Sequence, residues 1–179
     1  MEFYQVFNRY QSKTCKKIFA PCKTRKNRKP HNLNVEQLII KKMMETVYQT
    51  KVSVSGGRNG KIKSNDGILE LNVQIPESMG GKGGATNPEQ LFAAGYAACF
   101  DSALNFIAMQ NKQRIKSETE VCVELKSSKE EGFGLAVAIL VSIEGTDRDT
   151  AQKLVEQAHQ FCPYSKATRN NIEVSVNVK

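Results

Sequence analysis

A chain of 179 residues with 40% hydrophobic content can bury one proper core, with room for an appendage. Its net charge of +8 suggests an anionic partner only until it is located: residues 1–43 hold eleven basic and two acidic side chains, and the remaining 136 residues hold 15 and 16. The cysteines, Cys15, Cys22, Cys99, Cys122 and Cys162, are odd in number and follow no secretory apolar segment, and only His31 and His159 could join them as nitrogen ligands; this argues against a secreted disulfide framework and a zinc site, and for a reducing cytoplasm.

Residues 1–43 show no clear amphipathic period, and Lys23-Thr24-Arg25-Lys26-Asn27-Arg28-Lys29-Pro30 is a basic run ending in a helix breaker. The segment reads as an anion-binding tail, a transit peptide, a localisation signal, or a non-catalytic extension; the last is favoured, and nucleic-acid binding is not expected of the globular part. Val35 to Ile40 reads as a short helix or strand. The domain is expected to span 44–179.

From Glu45 the pattern turns to strand, with partial alternation over Val47–Val54. Ser55-Gly56-Gly57-Arg58-Asn59-Gly60 is a turn with an arginine between glycines. Asp66-Gly67 suits a hairpin turn, and Leu69, Leu71, Val73 and Ile75 then alternate until Pro76. Gly80-Gly81-Lys82-Gly83-Gly84 lacks the spacing of a phosphate-binding P-loop, so a flexible or closely approached loop beside the central helix is expected.

Thr86 to about Gln113 reads as the central helix. Asn87 is the N-cap, Pro88 suits the first position, Glu89 sits on the positive helix start, and Gln90 takes the third position of a capping box. Small residues (Ala93, Ala94, Gly95, Ala97, Ala98, Ala103) allow close packing on several sides, and the apolar run reads as too short and too interrupted for a membrane span. Cys99 lies mid-helix, where a lone cysteine is most often a small hydrophobe.

Glu120–Lys126 alternates, with Cys122 opposite Val121, Val123 and Leu125 and read as an ordinary strand cysteine. Phe133–Ile143 is a longer strand joined to it as a hairpin. Thr146-Asp147-Arg148-Asp149 opens a second helix, which stops near Cys162-Pro163. Tyr164–Arg169 reads as one more helical turn, and Ile172, Val174, Val176 and Val178 as a last strand.

Spacing leaves open whether Cys99 and Cys162 meet. If they do, a cysteine pair in a reducing compartment is usually catalytic or redox-sensing. An activated thiolate needs positive charge nearby, and Arg58 offers it; Glu89 could hold that guanidinium bidentately. Ten helical residues, about 15 Å, separate Glu89 from Cys99. Either the helix breaks near Gly95, or Arg58 reaches far, or a second subunit supplies the pair; the last is favoured.

Gly-Gly-Arg-Asn-Gly at 56–60, Asn-Pro-Glu-Gln-Leu-Phe-Ala-Ala-Gly-Tyr-Ala-Ala-Cys-Phe at 87–100 and Cys-Pro-Tyr-Ser-Lys-Ala-Thr-Arg-Asn-Asn at 162–171 closely resemble the organic hydroperoxide resistance proteins, the peroxidase branch of the OsmC-like superfamily. The resemblance covers nearly all of 44–179 and none of 1–43. It implies an α+β fold, with antiparallel strands at 46–75, 119–143 and 172–178 wrapped around helices near 88–112 and 147–161, in an intertwined homodimer. It implies a peroxidatic Cys99, a resolving Cys162, an activating Arg58 and its partner Glu89. No bound cofactor or metal is expected; the reductant would be an external dithiol, a lipoyl group on a carrier protein. Phe92, Phe100, Phe106 and Met79 would make an apolar site for fatty-acid or aryl hydroperoxides. The alternatives are the osmotically induced branch of the superfamily, with broader substrates, a non-enzymatic redox sensor or binding protein, and nucleic-acid binding through the basic tail.

Overall fold

A computed structural model describes residues 45–179. The basic extension, the domain start at 44, the segment Val35–Ile40, and Cys15 and Cys22 lie outside the described residues. The described chain forms two compact units, one of 45–55 and 62–70, the other of 56–61 and 71–179.

The first unit carries strand β1 (Val52–Ser55), most of β2 (Lys61–Ser64) and the first residue of β3 (Glu70–Asn72). The Asp66-Gly67 turn forms as its sequence suggests. Gly67 takes φ 75°, Ile68 N donates to Asp66 Oδ1 at 3.0 Å, and Ser64 Oγ bonds the same carboxylate oxygen. Among the described residues strand structure begins at Val52 rather than Val47, and Val47 and Tyr48 are exposed.

In the second unit, β4 (Lys116–Ser128), β5 (Gly132–Glu144) and β6 (Glu173–Val178) form one sheet of order β4-β5-β6. Register stacks the β-branched residues in rows across the strands: Val123–Val137–Val174, then Val121–Ile139–Val176, then Thr119–Val141–Val178. The hydrophobic core forms between these rows and the helices α1 (Pro88–Gln110) and α2 (Arg148–Phe161), through Tyr96, Phe100, Ala103, Leu104 and Ala108 and through Leu154, Val155 and Ala158. Cys122 lies on the opposite, exposed side of β4, as its alternation indicates.

One feature of the expected sheet is corrected. β6 runs parallel to β5, not antiparallel. Two helices, α2 and α3 (Pro163–Thr168), intervene between the strands; such a crossover returns the chain to the end at which β5 began, so the next strand must run the same way.

The start of α1 follows its N-cap and first-turn signals, but the Gln90 side chain turns to Thr86 rather than to the Asn87 N–H that a capping box uses. Asn87 Oδ1 accepts from Gln90 N at 2.9 Å, Pro88 occupies the first turn, and the Gln90 side chain accepts from Thr86 Oγ1 at 3.0 Å. The helix is unbroken to Gln110. Lys112 then enters the left-handed region at φ 56° and Gln113 N closes onto Ala108 O at 2.9 Å. By length and composition alone this helix could cross a bilayer, so the reading of its apolar run as too short does not hold. Its buried residues, however, face the sheet and α2 in one core, as a core helix requires.

Candidate active site

Three glycine-dependent features bring Arg58 to the start of α1. Gly56 and Gly57 take positive φ, 81° and 57°, and a Cβ on Gly56 would lie 2.9 Å from Gly60 Cα. The resulting 3₁₀ turn, Gly57–Asn59, presents Arg58 at its middle. Val73 N donates to Gly60 O at 2.8 Å, and Gln74 N donates to Thr86 O at 2.9 Å, so the turn is tied through residues 73–74 to the segment that opens α1. Gly81 packs against the same segment, where a Cβ would meet Ile75 O at 2.0 Å. At Gly81 the glycine-rich loop makes a close backbone approach, one of its two expected readings, and makes it to Ile75.

Arg58 and Glu89 then pair through both nitrogens: Nη2 donates to Oε1 at 2.6 Å and Nη1 to Oε2 at 2.9 Å. The guanidinium holds the Glu89 carboxyl below its ordinary range, chiefly through the hydrogen bonds, against a smaller opposing effect of burial. The pairing predicted for these two residues is thus formed within one chain.

Cys162 owes its place to Pro163. The residue before a proline is driven from helical to extended backbone, and Cys162 takes φ −56° and ψ 126°. It ends α2 and opens α3 at once: its N–H donates to Ala158 O at 2.8 Å and its carbonyl accepts from Lys166 N at 3.0 Å. The bend points the buried thiol toward α1, where Cys162 Sγ lies 3.5 Å from Cys99 Sγ. Both are free thiols. A disulfide would need the sulfurs about 1.5 Å closer.

Burial pushes the Cys99 thiol above its ordinary range. The Tyr164 backbone N–H acts in the opposite direction, and Cys162 adds to the rise. Arg58 is engaged with Glu89. Because α1 is unbroken, a break near Gly95 does not bring Glu89 to the cysteine.

The apolar candidates divide. Phe92, two turns before Cys99, is half-buried and makes an edge contact with Tyr96 at 5.9 Å and a tilted one with Tyr164 at 6.2 Å. Phe100 is fully buried in the core. Phe106, two turns after Cys99, is partly exposed and stacks on Phe161 at 4.9 Å. Met79 is exposed at the end of a separate 3₁₀ turn, Glu77–Met79. Among the described residues no three His, Cys, Asp or Glu side chains cluster to hold a metal.

Sequence reasoning missed three residues that join the two cysteine-bearing elements. Tyr96 Oη donates to Ser165 Oγ at 3.0 Å. Tyr164 supplies the N–H to Cys99 and lays its ring against Gly95, where a Cβ would meet the hydroxyl at 2.9 Å. Tyr96 and Ser165 stand three residues from Cys99 and Cys162 respectively, and that shared offset was the available signal.

The family model of OsmC-like proteins matches residues 81–177. The chain is 50% identical over 139 residues to the organic hydroperoxide resistance protein-like 2 of Staphylococcus epidermidis, covering 76% of this chain and 98% of that one. It is 46% identical over 134 residues to the organic hydroperoxide resistance protein OhrB of Bacillus subtilis, covering 74% and 98%. Among solved structures it is similar to an organic hydroperoxide resistance protein of Legionella pneumophila, with a TM-score of 0.74 at 44% identity over 75% of this chain and 99% of that one.

Proposed function

The chain belongs to the OsmC-like family, in its organic hydroperoxide resistance branch, and from that premise we propose that it is a thiol peroxidase that reduces organic hydroperoxides to alcohols. The observation that carries the proposal is the Cys99–Cys162 sulfur separation of 3.5 Å. The Cys99 thiolate attacks the outer peroxide oxygen; the O–O bond breaks, the alcohol leaves with a proton, and the sulfur becomes a sulfenic acid. The Cys162 thiol attacks that sulfur, its proton joins the departing hydroxyl to give water, and a Cys99–Cys162 disulfide forms. An external dithiol, a lipoyl group on a carrier protein, reduces it by two exchange steps.

Arg58, held by Glu89, lowers the cost of the thiolate and of the charge that develops on the peroxide. Ten helical residues, about 15 Å, lie between Glu89 and Cys99, so we place the working site at a homodimer interface where one chain's Arg58–Glu89 pair faces its partner's cysteines. Phe92, Phe106 and Met79 are accessible enough to receive an apolar substrate tail there; Phe100 supports them from the core. The protein works in a reducing, cytoplasmic setting.

The test is steady turnover. With dihydrolipoamide as reductant, cumene hydroperoxide should be consumed catalytically and hydrogen peroxide much more slowly. Equal rates for the two peroxides would remove the apolar site from the proposal. Oxidation without turnover would favour a redox sensor.

A further inference from the structure

We propose that the buried Tyr96–Ser165 hydroxyl pair is a positioning clamp for the resolving step, holding α3 in register on α1 so that Cys162 stays within reach of oxidised Cys99. The inference rests on the peroxidase reading above and concerns a step within it.

α3 has six residues, too few to hold a helical shape by propagation alone. Its position therefore depends on what it touches. Tyr96 and Ser165 are each fully buried, and Thr168 nearly so. Tyr96 Oη donates to Ser165 Oγ at 3.0 Å and stands 3.3 Å from Thr168 Oγ1, which itself bonds Tyr164 O at 3.0 Å. Hydroxyls in such a place must find one another, since a buried hydroxyl left unpaired is destabilising.

The pair has a specific relation to the cysteines. Tyr96 precedes Cys99 by three residues on α1, and Ser165 follows Cys162 by three on α3. The oxygen pair at 3.0 Å and the sulfur pair at 3.5 Å are thus two ties between the same two elements, about one helical turn apart. The first is already made while both cysteines are free thiols; the second becomes covalent only after oxidation. A fixed first tie keeps the second within about 1.5 Å of bonding distance, and misplacement by an ångström can slow an oriented reaction about a hundredfold.

The sulfenic acid has two competing fates. Condensation with the Cys162 thiol forms the disulfide and releases water. Reaction with a second hydroperoxide gives a sulfinic acid and a second alcohol, which removes the enzyme from the cycle. The ratio of these products does not depend on how fast the sulfenic acid formed. It therefore reports the placement of Cys162 separately from any change in the first step.

Wild type, Tyr96→Phe, Ser165→Ala and Val141→Ala would be treated with graded cumene hydroperoxide, and Cys99 sulfinic acid and Cys99–Cys162 disulfide counted by peptide mass. Val141→Ala loosens the same core away from the junction and controls for general destabilisation. The expected result is at least about a tenfold rise in sulfinic acid per disulfide in Tyr96→Phe and Ser165→Ala, and the wild-type ratio in Val141→Ala. Ser165→Ala carries the test if Tyr96→Phe does not fold. Wild-type ratios in both clamp variants, or an equal rise in Val141→Ala, would overturn the clamp while leaving the peroxidase reading intact. A wild-type protein that forms no Cys99–Cys162 disulfide would overturn both.

Discussion

Glu89 and Cys99 stand ten residues apart on one unbroken helix, and the carboxylate is already closed on Arg58 through two hydrogen bonds. The charged pair and the thiol pair are each well formed, but at positions separated by about 15 Å along the axis. That spacing is the reason for placing the working site between two copies of the chain.

The arrangement makes a complementation test decisive. A co-expressed heterodimer of Arg58→Ala and Cys99→Ser chains should recover activity, because one of its two sites would combine an intact cysteine pair with an intact arginine. Each homodimer should lose at least about a hundredfold in peroxidase rate. A heterodimer no more active than its parents would place Arg58 and Cys99 of the same chain in one site.

The thiol chemistry gives a second test. Burial raises the Cys99 thiol within a single chain, and a nearby guanidinium would oppose that rise. Arg58→Ala should therefore move the midpoint of Cys99 alkylation by iodoacetamide to higher pH than in wild type, with less thiolate and slower trapping at neutral pH. Identical midpoints would show that the arginine does not act on this sulfur.

Acid stability should fall in two windows. His159 has a buried Nδ1 without a hydrogen-bond partner among the described residues, and burial, with a smaller effect of Arg169, lowers its pKa. The unfolded chain then binds the extra proton first, so stability declines as pH falls below about 6.5. The Glu89 carboxyl is lowered by Arg58; its contribution is complete above the ordinary glutamate range and is lost as pH falls below about 4.3. His159→Gln should flatten the first decline and Glu89→Gln the second, in thermal melts from pH 8 to 3. An unchanged slope in either variant would dismiss that residue as the cause.

Much of this was legible in the sequence where the determinants are local. Asn87-Pro88 marks the start of α1, and Pro163 fixes both the end of α2 and the extended backbone of Cys162. The Arg58–Glu89 pair spans 31 residues, yet charge chemistry and a glycine-flanked turn were enough to suggest it. The direction of β6 was not legible, since alternation of Val174, Val176 and Val178 is the same in parallel and antiparallel pairing. Nor was the Tyr96–Ser165 bond, which joins residues 69 apart; each alone reads as a core tyrosine and a helix-start serine. Nor was the orientation of Phe100, which reads as part of the apolar surroundings of Cys99 and whose side of the helix is the core.

The central claim is that Cys99 and Cys162 form one redox couple, and intact mass tests it most directly. The reduced protein would receive one equivalent of cumene hydroperoxide, followed by peptide mapping. Loss of two hydrogen atoms and a single Cys99–Cys162 cross-link, reversed by dihydrolipoamide, is the expected result. An unchanged mass, or oxidation scattered over Cys15, Cys22 and Cys122, would contradict it.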